Sequence, residues 1–168
     1  GTFRWRRVPR GQALGVEEQA GQAHASATRQ DGLATRHVLA FSGRVVVVLD
    51  VLKTGTATYR WRFAPPSPQQ ARREGWVGDT HARVLCSGDT PRLNWTTAPA
   101  SFEYGNTLEV PTLSYQVDAS LCALVLTLEG PPVWSQLIPD GTLLLEVGEQ
   151  RWQVHANLEG LTVTLDTP

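Results

Sequence analysis

The sequence predicts an all-β protein, an antiparallel β-sandwich of about ten to twelve strands with little helix. Apolar and polar residues alternate with a period of two over much of the chain, as in strands that bury one face. Turn residues such as Ser-Gly, Asp-Gly and Glu-Gly separate these runs at short intervals. No long stripe with the 3.6-residue period of a helix occurs, so a sandwich is favoured over β-α-β units.

Length and composition indicate one folded domain over residues 1–168. Of the 168 residues, 41% are hydrophobic and 18% are charged, which is enough apolar material for a core. The formal net charge is −1, so we expect no nucleic-acid partner. No apolar run reaches the roughly 18 residues of a membrane span, and we expect no membrane partner. The chain has no methionine, even at position 1, so we expect a domain excised from a larger protein.

The first predicted strand covers residues 23–28, in which small apolar and polar side chains alternate. A helix over residues 16–27 is the alternative, because its glutamates, Gln19 and Ala20 are good helix formers. Gly15 and Gly21 weaken that helix. The strand is therefore preferred.

The next three runs predict a meander. Residues 36–41 and 44–52 are joined at Ser42-Gly43, a two-residue hairpin signal. In residues 56–63 every second side chain is apolar or aromatic, and the others are polar or arginine. The link at residues 53–55 predicts a second hairpin, which would place the third run beside the second.

The remainder of the chain continues in the same pattern after a long loop. Residues 64–78 contain three prolines and a pair of arginines, and they predict a loop that carries function or covers a sheet edge. The predicted strands that follow are residues 81–86, 92–96, 107–117, 121–128, 142–147, 150–158 and 161–165.

The two cysteines, Cys86 and Cys122, predict buried free thiols. Each lies in an apolar alternating run, and neither belongs to a CxxC motif, so a zinc site built on them is disfavoured. A disulfide is the alternative, which would require Cα atoms within about 7 Å of each other.

The histidines give no metal or catalytic motif, and we predict no cofactor. None belongs to an HxH or HExxH pattern. His37 begins a strand that pairs with the strand carrying Asp50, so these two residues are the candidates for a shared metal ion. In the alternative interpretation, His37 is a polar residue at a strand start, and Asp50 is an inward polar group with a backbone or arginine partner.

Six tryptophans make aromatic residues the stronger candidates for ligand binding. Trp61 and Trp152 follow the apolar phase of their strands and are predicted to lie in the core. Trp5 and Trp76 lie near arginines, and an exposed Trp beside Arg suits an acidic sugar through ring stacking and a bidentate contact to its carboxylate. The alternative is packing against a neighbouring domain. The carbohydrate-binding candidates are Trp5, Trp76, Arg60 and Arg62.

This order of segments resembles the C-terminal sandwich of the heparinase II/III-like polysaccharide lyases. In that family a run of alternating small residues precedes a Gly-aromatic pair, a His-Arg-Arg-type strand and a Val-rich strand that ends in Asp. The counterparts here are residues 23–28, Gly32-Leu33, residues 36–39, residues 45–50 and residues 59–63, together with Phe3-Arg4-Trp5, residues 102–105 and residues 111–113.

The resemblance implies a super-sandwich fold in a larger lyase. In that family Tyr and His, most of them on a preceding helical toroid, transfer protons in β-elimination at a uronic acid, while Asn or Arg neutralises the carboxylate. A structural metal is held by an HxHxD-like segment and a later His, and His37 corresponds to that later His in a shifted register. We expect the sequence to start after the HxHxD-like segment, so the metal set is incomplete.

We therefore expect a non-catalytic module that supports the toroid and lines its uronate-polysaccharide cleft, and that is inactive alone. The partners implied are the toroid domain and an acidic polysaccharide, and the implied parent lyase is periplasmic or secreted. The alternatives are a free-standing carbohydrate-binding or adhesion-type sandwich and a structural module without a ligand.

Overall fold

A computed structural model describes residues 22–29, 31–63, 75–77, 79–100 and 107–166, together with the backbone of 12–19, 101–103 and 106. All regular structure in these ranges is strand, and no helix that could cross a membrane occurs in them. The predicted all-β fold is confirmed. The strands are β1 (Gln12–Gln19), β2 (Gln22–Thr28), β3 (Ala34–Phe41), β4 (Val45–Leu52), β5 (Thr56–Arg62), β6 (Trp76–Val77), β7 (Thr80–Cys86), β8 (Asn94–Glu103), β9 (Asn106–Asp118), β10 (Leu121–Leu128), β11 (Ser135–Leu137), β12 (Thr142–Val147), β13 (Gln150–Ala156) and β14 (Leu161–Asp166).

These strands form three antiparallel sheets. The central sheet has the order β1-β2-β3-β4-β10-β7-β6, the C-terminal sheet the order β11-β12-β13-β14, and the three-stranded sheet the order β5-β9-β8. One hydrophobic core joins the central sheet to the C-terminal sheet, and a second joins it to the three-stranded sheet. The middle strands of the central sheet are therefore buried on both faces.

The middle strands of the central sheet supply both cores with alternate residues. In β4, Val47 and Leu49 belong to the core with the C-terminal sheet, whereas Val48 belongs to the core with the three-stranded sheet. In β10, Ala123 and Leu124 divide in the same way. Because neither face meets water, these strands are almost continuously apolar instead of alternating.

The predicted meander is right in its first hairpin and wrong in its second. β3 and β4 pair as predicted, but Phe41 lies opposite Val45, so the link has three residues instead of two. Ser42 and Gly43 both have positive φ angles, 48° and 63°. β5 does not pair with β4; it crosses to the three-stranded sheet and pairs with β9. The reason is that β10 already occupies the free edge of β4.

Other differences between the predicted and the observed elements concern the N-terminal strands and the short strands. The alternative helix over residues 16–27 is wrong, because its described residues, 16–19 and 22–27, belong to the paired strands β1 and β2, in which Gln19 lies opposite Gln22. Within the predicted loop 64–78, the short strand β6 pairs with β7, while residues 64–74 and 78 lie outside the described residues. β1, β6 and β11 raise the described strands above the predicted number.

Candidate functional site

A cleft of about 480 Å³ opens where the edge strand β5 of the three-stranded sheet meets the central sheet. Its walls come from β2, β3 and β4 on one side and from β5 on the other. Ala23 and Ala27 of β2 are exposed, so the three-stranded sheet does not cover this strand. The small side chains of β2 leave a shallow floor beside the aromatic residues of β5.

An ion pair between neighbouring strands lies in this cleft. Arg36 of β3 stands directly opposite Asp50 of β4. Nε and Nη2 of Arg36 donate to the two carboxylate oxygens of Asp50 at 2.7 and 2.8 Å, in the bidentate geometry typical of arginine. Asp50 is buried, while the Arg36 side chain is 45% exposed. The interpretation of Asp50 as an inward polar group with an arginine partner is confirmed.

Aromatic side chains of β5 and β9 pack beside the Arg36 guanidinium. Its guanidinium carbon lies 4.8 Å from the centre of the Trp61 ring, within the range of a cation–π interaction. The Trp61 indole Nε1 donates to the Tyr115 hydroxyl at 3.0 Å. Tyr59 stacks between them, with ring centres 6.3 Å from Trp61 and 5.0 Å from Tyr115. Trp61 packs against the core as predicted and remains half-buried.

The Tyr59 hydroxyl is buried without a hydrogen-bond partner, although its residue lines the cleft. Burial, reinforced by the nearby Asp50 carboxylate, raises the pKa of Tyr59, so the phenol stays neutral. Buried polar groups are normally hydrogen-bonded, and one that is not calls for an explanation. The donor and acceptor capacity of this neutral phenol is therefore unused in this conformation.

The structure does not bring the sequence-predicted binding residues together. Arg60 and Arg62 are exposed on the face of β5 opposite Tyr59, and Arg60 borders the cleft. Trp76 lies on β6 at the other edge of the central sheet, half-buried and edge-on to His81 with ring centres 5.1 Å apart. Trp5 lies outside the described residues.

His37 faces the opposite side of the central sheet and links it to the C-terminal sheet. Its side chain is fully buried, and Nε2 lies 3.0 Å from the carbonyl oxygen of Asn157 in the turn between β13 and β14. Because a carbonyl only accepts, Nε2 carries the proton and Nδ1 accepts from Ser26 Oγ at 2.8 Å. Ser26 Oγ in turn accepts from His24 Nε2 at 2.7 Å. Burial lowers the pKa of His37, which favours this neutral form.

These residues do not fit the structural metal that the family resemblance implies. His37 and Asp50 lie on opposite faces of β3 and β4, so the structure does not bring the two metal candidates together. His24, Ser26 and Thr28 share one face of β2 at the spacing of an HxHxD-like segment, but Ser and Thr replace the second His and the Asp. No group of three His, Cys, Asp or Glu side chains that could hold a metal occurs in the described part of the chain.

Comparisons with known proteins find similarity only at the level of structure. No family model and no curated protein matches the chain. The heparan sulfate lyase HepC from Pedobacter heparinus matches with a TM-score of 0.63 and 14% identity, over 92% of this chain and 29% of that chain. A heparinase III matches with a TM-score of 0.65 and 9% identity, over 88% and 27%. A mutant of HepC matches with a TM-score of 0.58 and 13% identity, over 95% and 28%.

At these identities the likeness is one of fold. Nearly the whole described sandwich is matched, yet the chain spans less than a third of each lyase. The chain therefore has the β-sandwich fold that forms one part of these heparan sulfate lyases.

Proposed function

We propose that this chain is the β-sandwich domain of a polysaccharide lyase of the heparinase type, which packs on a helical toroid and contacts an acidic polysaccharide. The observation that carries the proposal is the fold match, which covers 88 to 95% of this chain but only 27 to 29% of the lyases. The order of segments in the sequence, which resembles the C-terminal sandwich of such lyases, points to the same part of the parent protein.

The cleft between β5 and the central sheet suits an acidic sugar. Nε and Nη2 of Arg36 contact Asp50, and among the described residues nothing bonds the Nη1 amino group of this half-exposed side chain, which suits it to a carboxylate or sulfate. The Tyr59 ring lines the same cleft. Trp61 presents an aromatic wall beside both. The cleft combines an anion contact with an aromatic surface, and both suit a uronic acid.

The same geometry supports a role without catalysis. Elimination beside a uronate carboxylate needs a base near the C5 proton, an acid at the leaving oxygen and a neutraliser of the carboxylate. Burial raises the pKa of both Tyr59 and Tyr115, which makes them poor bases near neutral pH. The described residues that line the cleft include no histidine. Arg36 alone could serve, as the neutraliser.

We expect the isolated chain to produce no unsaturated uronide from heparan-sulfate-type or alginate polymers. The measurement is the ultraviolet absorbance of the unsaturated product, with a complete lyase as positive control. Sustained turnover that is lost on Arg36→Lys substitution would contradict the non-catalytic role.

Binding to the cleft is tested by titrating the protein with heparan-sulfate-type oligosaccharides and following tryptophan fluorescence. Trp61→Phe should weaken binding about tenfold, equivalent to about 1.4 kcal/mol, because the smaller ring loses contact with Arg36 and the sugar. Trp134→Phe is the matched control: Trp134 also lies under an arginine, with Arg151 at 5.4 Å, but outside the cleft. An equal loss in both variants, or no binding to the unsubstituted protein, would overturn the role of the cleft.

The flanking coding sequence separates this proposal from a free-standing carbohydrate-binding module. An upstream helical region that supplies Asn, His and Tyr would support the lyase domain. Complete absence of such a region from the gene, together with oligosaccharide binding in the cleft, would favour the free-standing module.

A further inference from the structure

Two free thiols face each other across neighbouring strands of the central sheet. Cys86 of β7 lies directly opposite Cys122 of β10, and their sulfur atoms are 3.2 Å apart. Both are free cysteines, as predicted. Cys122 is buried as predicted, but Cys86 is only half-buried, because it lies at the end of β7 near the sheet edge.

The backbone geometry at this pair is compatible with a disulfide. Ser87 N donates to Leu121 O at 3.0 Å, so residues 87 and 121 form a hydrogen-bonded pair. Hydrogen-bonded and non-hydrogen-bonded pairs alternate along an antiparallel ladder, which makes Cys86 and Cys122 a non-hydrogen-bonded pair. Such pairs have Cα atoms about 4.5 Å apart, at the short end of the range that a disulfide spans.

Access to the pair comes from the side of Cys86. β6 pairs only with Thr80 and His81, so the stretch of β7 that ends at Cys86 has no further strand neighbour among the described residues. A cleft of about 340 Å³ lies along this edge and is lined by Cys86 with Arg83 and Ser135. Cys86 is half-buried at this edge, whereas Cys122 is buried, so a small reagent reaches the Cys86 sulfur first.

The two thiols differ in reactivity. The contact with the Cys122 sulfur lowers the pKa of Cys86, whereas the contact with Cys86 and burial raise the pKa of Cys122. The thiolate is the nucleophile in disulfide exchange. The accessible Cys86 is therefore the attacking residue, and Cys122 is positioned to resolve the product.

We propose that Cys86 and Cys122 are a redox modification site that a small disulfide, such as oxidised glutathione, converts to a cross-strand disulfide within the chain. The Cys86 thiolate attacks one sulfur of the reagent, forms a mixed disulfide and releases one small thiol. Cys122 then loses its proton to water and attacks the Cys86 sulfur, which expels the second small thiol. Two protein thiols are oxidised and one reagent disulfide is reduced to two thiols.

The disulfide would fix the edge of β7 to β10, a strand that both hydrophobic cores use. The loop it closes runs over 36 positions of the chain. Loop-closure entropy for a loop of this length predicts that the melting temperature rises by roughly 10 °C on oxidation. The change is reversible, because excess dithiothreitol returns both residues to thiols.

The test is incubation of the native protein with oxidised glutathione, followed by intact mass, thiol titration after denaturation and melting temperature. We expect a mass lower by two hydrogens, loss of both titratable thiols and the higher melting temperature. Cys122→Ser should stop at one glutathionyl adduct on Cys86, and Cys86→Ser should leave Cys122 unmodified in the native protein. Persistence of both thiols, or disulfide-linked dimers in place of the intrachain bond, would overturn the proposal.

Discussion

Replacing Arg36 by methionine should lower the free energy of unfolding by about 3 kcal/mol. The substitution leaves the Asp50 carboxylate, only 5% exposed, without its counter-charge and without two hydrogen bonds. Removing one member of a buried pair is costly because the other charge stays desolvated. The estimate is at the lower end of the usual range because the Arg36 side chain is 45% exposed. Urea unfolding of the variant and the unsubstituted protein measures the difference.

The double variant Arg36→Met, Asp50→Leu is the control that separates charge from packing. Replacing both members of a buried ion pair by apolar residues of similar size is often close to neutral, so most of the lost stability should return. If the double variant is as unstable as the single one, the loss comes from the packing of Arg36 on Trp61 and not from the stranded carboxylate.

The second large effect is expected at His37, which should make stability fall in acid. Burial lowers the pKa of His37 below its ordinary value of 6.5. The unfolded chain then binds more protons than the folded chain once the pH falls below 6.5. The stabilising contribution of the neutral ring is therefore complete above that pH, and it is lost as the pH falls through the lower pKa of the folded state. Urea unfolding across this range measures the slope.

His37→Leu should remove this part of the pH dependence and cost about 2 kcal/mol above pH 6.5, because it takes the histidine away from one buried and one exposed hydrogen-bond partner. These partners are the Ser26 hydroxyl and the Asn157 carbonyl. Two other titratable groups are near His37. His24 is hydrogen-bonded to the same Ser26 hydroxyl, and the negative charge of Asp50, on the other face of the sheet, opposes the lowering of the His37 pKa. Burial and the charge of Arg83 also lower the pKa of His81. His81→Asn is therefore the control, and it should leave the part of the acid slope that comes from His37 in place. An unchanged acid slope in His37→Leu would contradict the assignment.

The strands could be predicted where turn residues flank an uninterrupted apolar run. β10 and β12 begin and end where the sequence predicts, at residues 121–128 and 142–147. The sheet to which a strand belongs could not be predicted in the same way. β5 shows the same alternation whether it pairs with β4 or with β9, because the period of two reports a buried face and not the neighbouring strand.

The cleft was missed for a reason of register. A two-residue link at Ser42-Gly43 places Leu49 opposite Arg36, whereas the observed three-residue link places Asp50 there. The one-residue difference decides whether an apolar residue or a carboxylate faces the guanidinium. Trp61 was correctly assigned to the core phase, but that phase did not show that its ring also forms the wall of a cleft. The sequence signal for the ion pair is that Arg36 and Asp50 lie at nearly equal distances, along the chain, from the turn at residues 42–44.

The division of β4 and β10 between two cores has a consequence for how the chain finds its native state. These strands meet across some seventy positions of sequence, as in the pairing of Cys122 with Asp50, so their docking is a non-local event of the kind that slows folding. A slip by one residue would exchange the side chains of both cores at once, and would bring Asp50 to the wrong layer. A pairing shifted by one residue is thus penalised on both faces of the central sheet.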